Sequence, residues 1–156
     1  LLGTFLSQKI KGKVADLCSG WGYLSIAALK ENARINQIYL FEANYAALMA
    51  SKKNITDSRA SFHWEDVVNL NGQEKNFDCV LCNPPFHSRA KYDIILGKKI
   101  IKAGHKILRS SGSFWMVSNK HLPYEKDLKN YFLHVEKIVE TSYFKIFKAT
   151  RPISNV

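Results

Sequence analysis

A chain of 156 residues, 46% of them hydrophobic, has the size of one domain with a full core, which excludes a disulfide-stapled miniprotein and a disordered tail. Its 23 Lys and Arg against 13 Asp and Glu leave a formal charge of +10. An excess of that size favours polyanionic partners, because each neutralised phosphate releases counterions, although a solvated basic surface has the same composition. No apolar run has the length of a membrane helix and nothing at the start reads as a signal peptide, so no membrane partner is expected and a cytoplasmic location is. The chain opens on Leu1-Leu2-Gly3 without a methionine, as a trimmed chain or a piece of a longer protein would.

In chain order, apolar strand-like runs alternate with helix-like stretches, the pattern of a parallel α/β sheet. A first strand is expected over Val14 to Leu17 and a helix over Leu24 to Arg34. A second strand, rich in Ile, Tyr, Leu and Phe, covers Gln37 to Glu42, with a helix from Tyr45 to about Asn54. A short strand follows at Ala60 to Trp64, and a fourth at Phe77 to Cys82. Asp93 to Leu108 has the apolar spacing of an amphipathic helix. Ser111-Gly112 then turns the chain into a strand at Phe114 to Ser118. A helix around Tyr124 to Phe132 precedes Val135 to Thr141 and Phe144 to Ala149, which lie close enough for an antiparallel hairpin and too close for a crossover helix. The expected architecture is a single domain over 1–156 with seven strands, five alternating with helices and two paired at the end.

Ligands of an open parallel sheet sit beyond the carboxyl ends of its strands. The first such end reads Asp16-Leu17-Cys18-Ser19-Gly20-Trp21-Gly22, where Gly20 and Gly22 allow close backbone approach and a helix start. The second carries Glu42, an acid placed to hold two ribose hydroxyls. After the third strand comes Asp66, able to accept from an exocyclic amine. Together they suggest an adenosine-containing ligand. No Gly-Lys-Ser/Thr follows and the three-glycine dinucleotide pattern is incomplete. Asp16 would repel a pyrophosphate and attract an amino group or sulfonium, which favours S-adenosyl-L-methionine over NAD.

The three cysteines make no disulfide framework. Cys79 and Cys82, three apart in a strand, point to opposite faces and are expected to be core, and metal-ligand spacing is absent, so no metal is expected. His63, His105, His121 and His134 read as surface or packed side chains. Trp21 and Trp64 flank the expected cofactor site, and aromatic residues at strand ends are expected in the core. Tyr124 either lines the pocket or starts a helix. No feature specifies an oligomer, and a monomer is expected.

In this order and spacing, "VADLCSGWGYLS", "IYLFEAN" and "CNPPFH" resemble the class I S-adenosylmethionine-dependent methyltransferases. The tail "FWMVSNKHLPYEKDLKNYF" followed by "FKIFKATRP" is similar to the catalytic half of the ribosomal RNA guanine-N2 methyltransferases. Within that family the likeness is greatest to the C-type enzymes that act on the small subunit, with the G-type enzymes that act on the large subunit as near relatives. The resemblance runs from about Leu1 to Pro152. It implies a Rossmann-like fold, an rRNA or small-ribosomal-subunit partner and a cofactor site of Asp16, Cys18, Gly20, Gly22, Glu42, Asp66 and Asn83. Two departures stand out: Cys18 occupies a position where that family usually has glycine, and the family's usual additional N-terminal domain is missing from this stretch.

The guanine 2-amino group is a weak nucleophile because its lone pair is delocalised into the ring. On the resemblance, the Asn83 side-chain oxygen and the Pro84 carbonyl would accept its two N–H bonds, the fixed φ of proline holding the carbonyl direction. Phe86 would stack on the base, worth roughly 1–3 kcal/mol for such contacts. Pro85 and His87 would contact the substrate. An Asn-Pro-Pro-aromatic turn also serves enzymes acting on adenine N6 or a glutamine amide, and a catalytically inactive RNA-binding module is the reading from outside enzymology.

Overall fold

The computed structural model describes residues 9–30, 32–70, 76–85, 90–154 and 156, with backbone only at 90–93. Its strands are β1 (Gly12–Leu17), β2 (Ile35–Glu42), β3 (Ala60–Trp64), β4 (Phe77–Cys82), β5 (Leu108–Asn119), β6 (Phe132–Glu140) and β7 (Phe144–Pro152). The helices are α1 (Tyr23–Leu29), α2 (Tyr45–Asn54), α3 (Ala90–Ile107) and α4 (Tyr124–Lys129), with a short 3-10 helix at Val67–Asn69. One seven-stranded sheet has the order β3-β2-β1-β4-β5-β7-β6. Neighbours from β3 to β5 are parallel, and β7 runs antiparallel to both β5 and β6. The expected class I architecture with its C-terminal antiparallel hairpin is what forms.

β1 and β4 lie mid-sheet with helices on both faces, so they read as continuous apolar runs rather than alternating ones. Alternate residues still divide between two cores. Ala15, Leu17, Val80 and Cys82 join the cluster under α3 and α4, whereas Val14, Cys79 and Leu81 join the one under α1. The two cysteines thus face opposite ways, both buried. No described helix is long and apolar enough to cross a membrane.

Several boundaries differ from expectation: β1 and β2 begin two residues earlier, at Gly12 and Ile35, α3 spans Ala90–Ile107, β7 runs on to Pro152, and three further differences have a visible cause. α1 stops at Leu29 instead of Arg34, because Arg59 collects the carbonyls of Leu29, Asn32 and Ile35 at 3.3, 2.6 and 3.2 Å. Asn32, nearly buried, meanwhile donates to the Ile10 carbonyl at 3.0 Å. A cation collecting free carbonyls ends a helix favourably. β5 begins at Leu108, so Ser111-Gly112 is no separate turn: Phe77 pairs with Leu108 and Cys79 with Ser113, which makes the extra residues of β5 a bulge in a single strand. α4 ends at Lys129 and β6 begins at Phe132, pulled into the sheet by the pairing of Phe132 with Pro152.

The position of α3 rests on two glycines one heptad apart. A Cβ at Gly97 would collide with the hydroxyl oxygen and Cζ of Tyr124, and one at Gly104 with Cε2 of Phe114. Tyr124 is fully buried at the start of α4, so it braces α3 and takes no place in the cleft wall. Helix propensity alone predicts that Gly97→Ala stabilises by about 1 kcal/mol. Overpacking against Tyr124 reverses the sign, and a loss of about 1–3 kcal/mol is expected in urea unfolding. A gain in stability would show that the brace is loose.

Candidate active site

β1 leaves the sheet through a turn with three left-handed residues: Cys18 (φ 59°), Gly20 (φ 55°) and Gly22 (φ 94°). Glycine at 22 is required twice over, since a Cβ there would also lie 2.7 Å from Ile55 Cδ1 and 3.3 Å from Ser51 Cβ. At Gly20 an added Cβ would meet nothing within 4 Å, so its Cα side faces open space. Cys18 takes the left-handed conformation without being glycine, at a cost of roughly 1–2 kcal/mol. That explains why a glycine is at home in this position. The thiol is pushed up to about 12 by burial first and then by the charges of Glu42, Asp16 and Asp66, so it stays protonated and is no nucleophile.

Glu42, the last residue of β2, ties two loops together. Its Oε2 accepts from the Gly20 amide at 2.8 Å and its Oε1 from the Asn44 amide at 2.8 Å. Asn44 in turn caps α2, its side chain accepting from Ala47 N at 3.1 Å. Asp66 accepts from Val68 N at 3.0 Å, which fixes the 3-10 helix. Each carboxylate retains acceptor capacity beyond these bonds.

These elements enclose a cleft of about 490 Å3 at the carboxyl ends of the strands. Of the predicted residues, Cys18, Gly20, Glu42, Asp66, Asn83 and Pro85 line it together. Pro84 is buried rather than lining, Gly22 starts α1, and Asp16 is buried at the end of β1 near Cys18. Phe86 and His87 lie outside the described residues. Sequence reasoning missed Ala43, Asn44 and Ala47, within five residues of Glu42, Val67 next to Asp66, and Leu96 and Ile100, one turn apart on α3. The Asn44 cap was a readable signal; the α3 residues depend on how that helix docks.

Asp16 is fully buried. Its Oδ2 accepts from Ser25 Oγ at 2.6 Å, while Oδ1 has no hydrogen-bond partner among the described residues. Burial raises its carboxyl to about 7, against the lowering effect of Ser25, and the charge of Glu42 adds to the rise. A buried carboxyl with an orphaned oxygen, in reach of the charge of Glu42, makes this end of the molecule locally acidic inside a basic protein. Such a site suits a ligand carrying positive charge and an N–H donor, and disfavours a phosphate.

Trp21 and Trp64 correct the expectation of core positions: they are 52% and 66% exposed. His63 stacks on Tyr39 and Phe41, and His105 lies within 2.9 Å of the Ile153 carbonyl, as packed side chains. A second cleft of about 520 Å3 runs along the edge strand β6, and none of the predicted site residues lines it. Among the described residues no group of three or more His, Cys, Asp or Glu is arranged to hold a metal ion.

The chain matches the methyltransferase small domain over residues 1–148. It is 28% identical over 150 residues to the ribosomal RNA large subunit methyltransferase G of Klebsiella pneumoniae (strain 342), covering 94% of this chain and 40% of that protein. It is 29% identical over 151 residues to the ribosomal RNA small subunit methyltransferase C of Photorhabdus laumondii, covering 97% and 44%. The chain thus spans about two-fifths of the length of these curated relatives. Among solved structures, the T. thermophilus 16S rRNA N2 G1207 methyltransferase in complex with AdoMet and guanosine superposes with a TM-score of 0.79 at 23% identity, covering 96% of this chain and 42% of that one.

The raised Asp16 carboxyl carries a pH signature. The folded chain keeps a proton that the unfolded chain releases near 3.8, so stability falls as pH rises from about 4 to about 7 and stays lower above. In Asp16→Asn this contribution vanishes. Between pH 5 and pH 8 the wild type should lose roughly 2–3 kcal/mol more than the variant in denaturant unfolding. Parallel pH profiles would mean that Asp16 ionises as an ordinary carboxylate.

Proposed function

The chain belongs to the methyltransferase small domain family, and from that premise we propose that it transfers a methyl group from S-adenosylmethionine to the exocyclic N2 amine of a guanine in ribosomal RNA, in the small subunit. The observation that carries this reading is the cleft itself, where Gly20, Glu42 and Asp66 meet Asn83 and Pro85 in one space of about 490 Å3. The donor, when bound, supplies an electrophilic methyl on a sulfonium. Glu42, its carboxylate held rigidly by two amides, accepts from the ribose hydroxyls. Asp66 accepts from the adenine amine. Asp16, with its orphaned oxygen, attracts the amino end.

On the acceptor side, Asn83 and the Pro84 carbonyl take the two N–H bonds of the target amine, which localises its lone pair toward the methyl. The nitrogen forms the new bond to carbon as the sulfur–methyl bond breaks, the sulfur keeping the bonding pair as a neutral thioether, and the surplus N–H proton passes to solvent only after the nitrogen has become cationic. An amide therefore serves where a carboxylate base is not needed. Positioning and removal of water supply the acceleration, and a guanine within folded RNA must be unstacked to enter. The +10 charge supports RNA over a protein glutamine as substrate, and retention of Glu42 and Asn83 at one cleft supports an enzyme over an inactive module. Large-subunit RNA is the second reading, supported by the relative named for that subunit. The activity belongs in the cytoplasm, where ribosomes are.

The test is transfer of labelled methyl to small and large ribosomal particles from cells lacking the enzyme, followed by nucleoside analysis. N2-methylguanosine in small-subunit RNA is expected; the same nucleoside in large-subunit RNA replaces the target, and another methylated base replaces the chemistry. Asn83→Ala should bind S-adenosylmethionine with near wild-type affinity and lose methyl transfer by about 100-fold or more. Normal turnover would remove Asn83 from its role. Glu42→Ala should weaken S-adenosylmethionine binding about tenfold or more in calorimetry, through lost ribose contacts and a loosened Gly20 loop.

A further inference from the structure

Five aromatic side chains among the described residues are substantially exposed: Trp21 at 52%, Tyr23 at 50%, Tyr45 at 54%, Trp64 at 66% and Tyr143 at 80%. All five emerge at the end of the sheet where the parallel strands finish. Trp21 and Tyr23 follow β1, Tyr45 opens α2 just after β2, and Trp64 is the last residue of β3. Tyr143 sits in the β6–β7 turn, where its carbonyl accepts from the Lys120 amide beyond β5 at 2.9 Å. At the opposite end the rings of Tyr39 and Phe77 are instead covered by the Lys13 ammonium, at 4.8 and 4.5 Å from the ring centres. Exposed rings gathered at one end forgo burial that their size would reward, so they call for a partner.

The rings are also held in place. Trp64 Nε1 donates to the carbonyl of Ala43, a cleft residue, at 2.9 Å, and its ring meets Tyr45 edge to face at 5.0 Å. Trp21 meets Tyr23 edge to face at 5.4 Å, and its carbonyl accepts from Asn54 Nδ2 at 3.0 Å. An edge-to-face contact covers one face of one ring of each pair and leaves the remaining faces uncovered by that contact. Lysines adjoin part of the rim: Lys52 and Lys53 lie in the last turn of α2 beside Asn54, whose side chain donates to the Trp21 carbonyl, and Lys120, whose backbone amide bonds Tyr143, holds its ammonium 4.0 Å from Glu140 Oε1. Flat apolar faces next to cations are what unpaired nucleotides bind, the rings taking bases and the lysines taking phosphates.

We propose that this rim is a stacking platform for single-stranded RNA, on which the unpaired nucleotides flanking the target base are splayed and held. The proposal rests on the RNA substrate class assigned above and adds the surface that receives it. Folded RNA that enters unstacked leaves neighbouring bases exposed, and the rim stacks them again. The affinity it adds does not depend on the sequence of those neighbours, because every base has a π-face.

The chain has three tryptophans, two of them on the rim, while Trp115 is 3% exposed, so intrinsic fluorescence reports on the rim directly. The experiment titrates the protein with unstructured 12-nucleotide RNA, with heparin as a polyanion without bases, and with RNA duplex as a partner with its bases already stacked. Quenching by single-stranded RNA and little by heparin or duplex is expected. In anisotropy assays, Trp21→Ala combined with Trp64→Ala should weaken single-stranded binding about tenfold or more, and the corresponding Phe variant should retain most of it. Equal quenching by heparin, or unchanged affinity in a folded double-Ala variant, overturns the platform. Methylation of ribosomal particles is scored separately, by labelled methyl. Quenching without methylation leaves the rim standing and the reaction refuted; methylation with unaltered RNA affinity in the double-Ala variant does the reverse.

Discussion

One carboxylate holds the cleft together. Glu42 ends the second strand and bonds at 2.8 Å to an amide in the loop after β1 and to another at the start of α2. Charge-assisted bonds of this kind are stronger than neutral ones, and two from a single rigid side chain fix the separation of the loops they join. Gly20 must present its N–H to that carboxylate, which requires the left-handed turn begun at Cys18. The first loop, the second acid and the cap of α2 are therefore one construction.

Charge operates on two length scales here. Over the whole surface the excess of +10 draws a polyanion from a distance, subject to salt screening. At the cleft the signs reverse: Glu42 and Asp66 line it, Asp16 is buried behind it, and all three bear on Cys18. A basic exterior around an acidic cleft separates two kinds of ligand. A polyanion is attracted to the surface, and a small cation is favoured inside.

Much of this is legible in the sequence. α2, β3 and β4 begin and end where their residue patterns place them, because each is an apolar or periodic run bounded by turn residues or a cap. The two strand-end acids at Glu42 and Asp66 were legible because a parallel sheet leaves few places for a ligand. What escaped depends on partners distant in sequence. α1 is cut short by Arg59, which lies 30 residues further along the chain, beyond α2. Leu96 and Ile100 reach the cleft only because Gly97 and Gly104 let α3 settle against Tyr124 and Phe114. Trp21 and Trp64 looked like core because large rings at strand ends usually are, and no local signal says that the sheet leaves that end uncovered.

The strand order also bears on how the chain is made. β7 is the last strand of the sheet to be synthesised, yet it lies between β5 and β6, pairing Ser113 with Thr150 on one side and His134 with Thr150 on the other. Until it arrives, β5 has an open edge and β6 has no neighbour, and open edges recruit other chains. During translation the nascent protein therefore carries two unsatisfied strands until the residues around Pro152 emerge from the exit tunnel. Vectorial folding builds the donor end first, from β1 to β4, and the sheet is closed by an insertion step. A ribosome stalled shortly before that point would hold a chain with its cofactor cleft largely formed and its sheet unfinished, a natural client for chaperones.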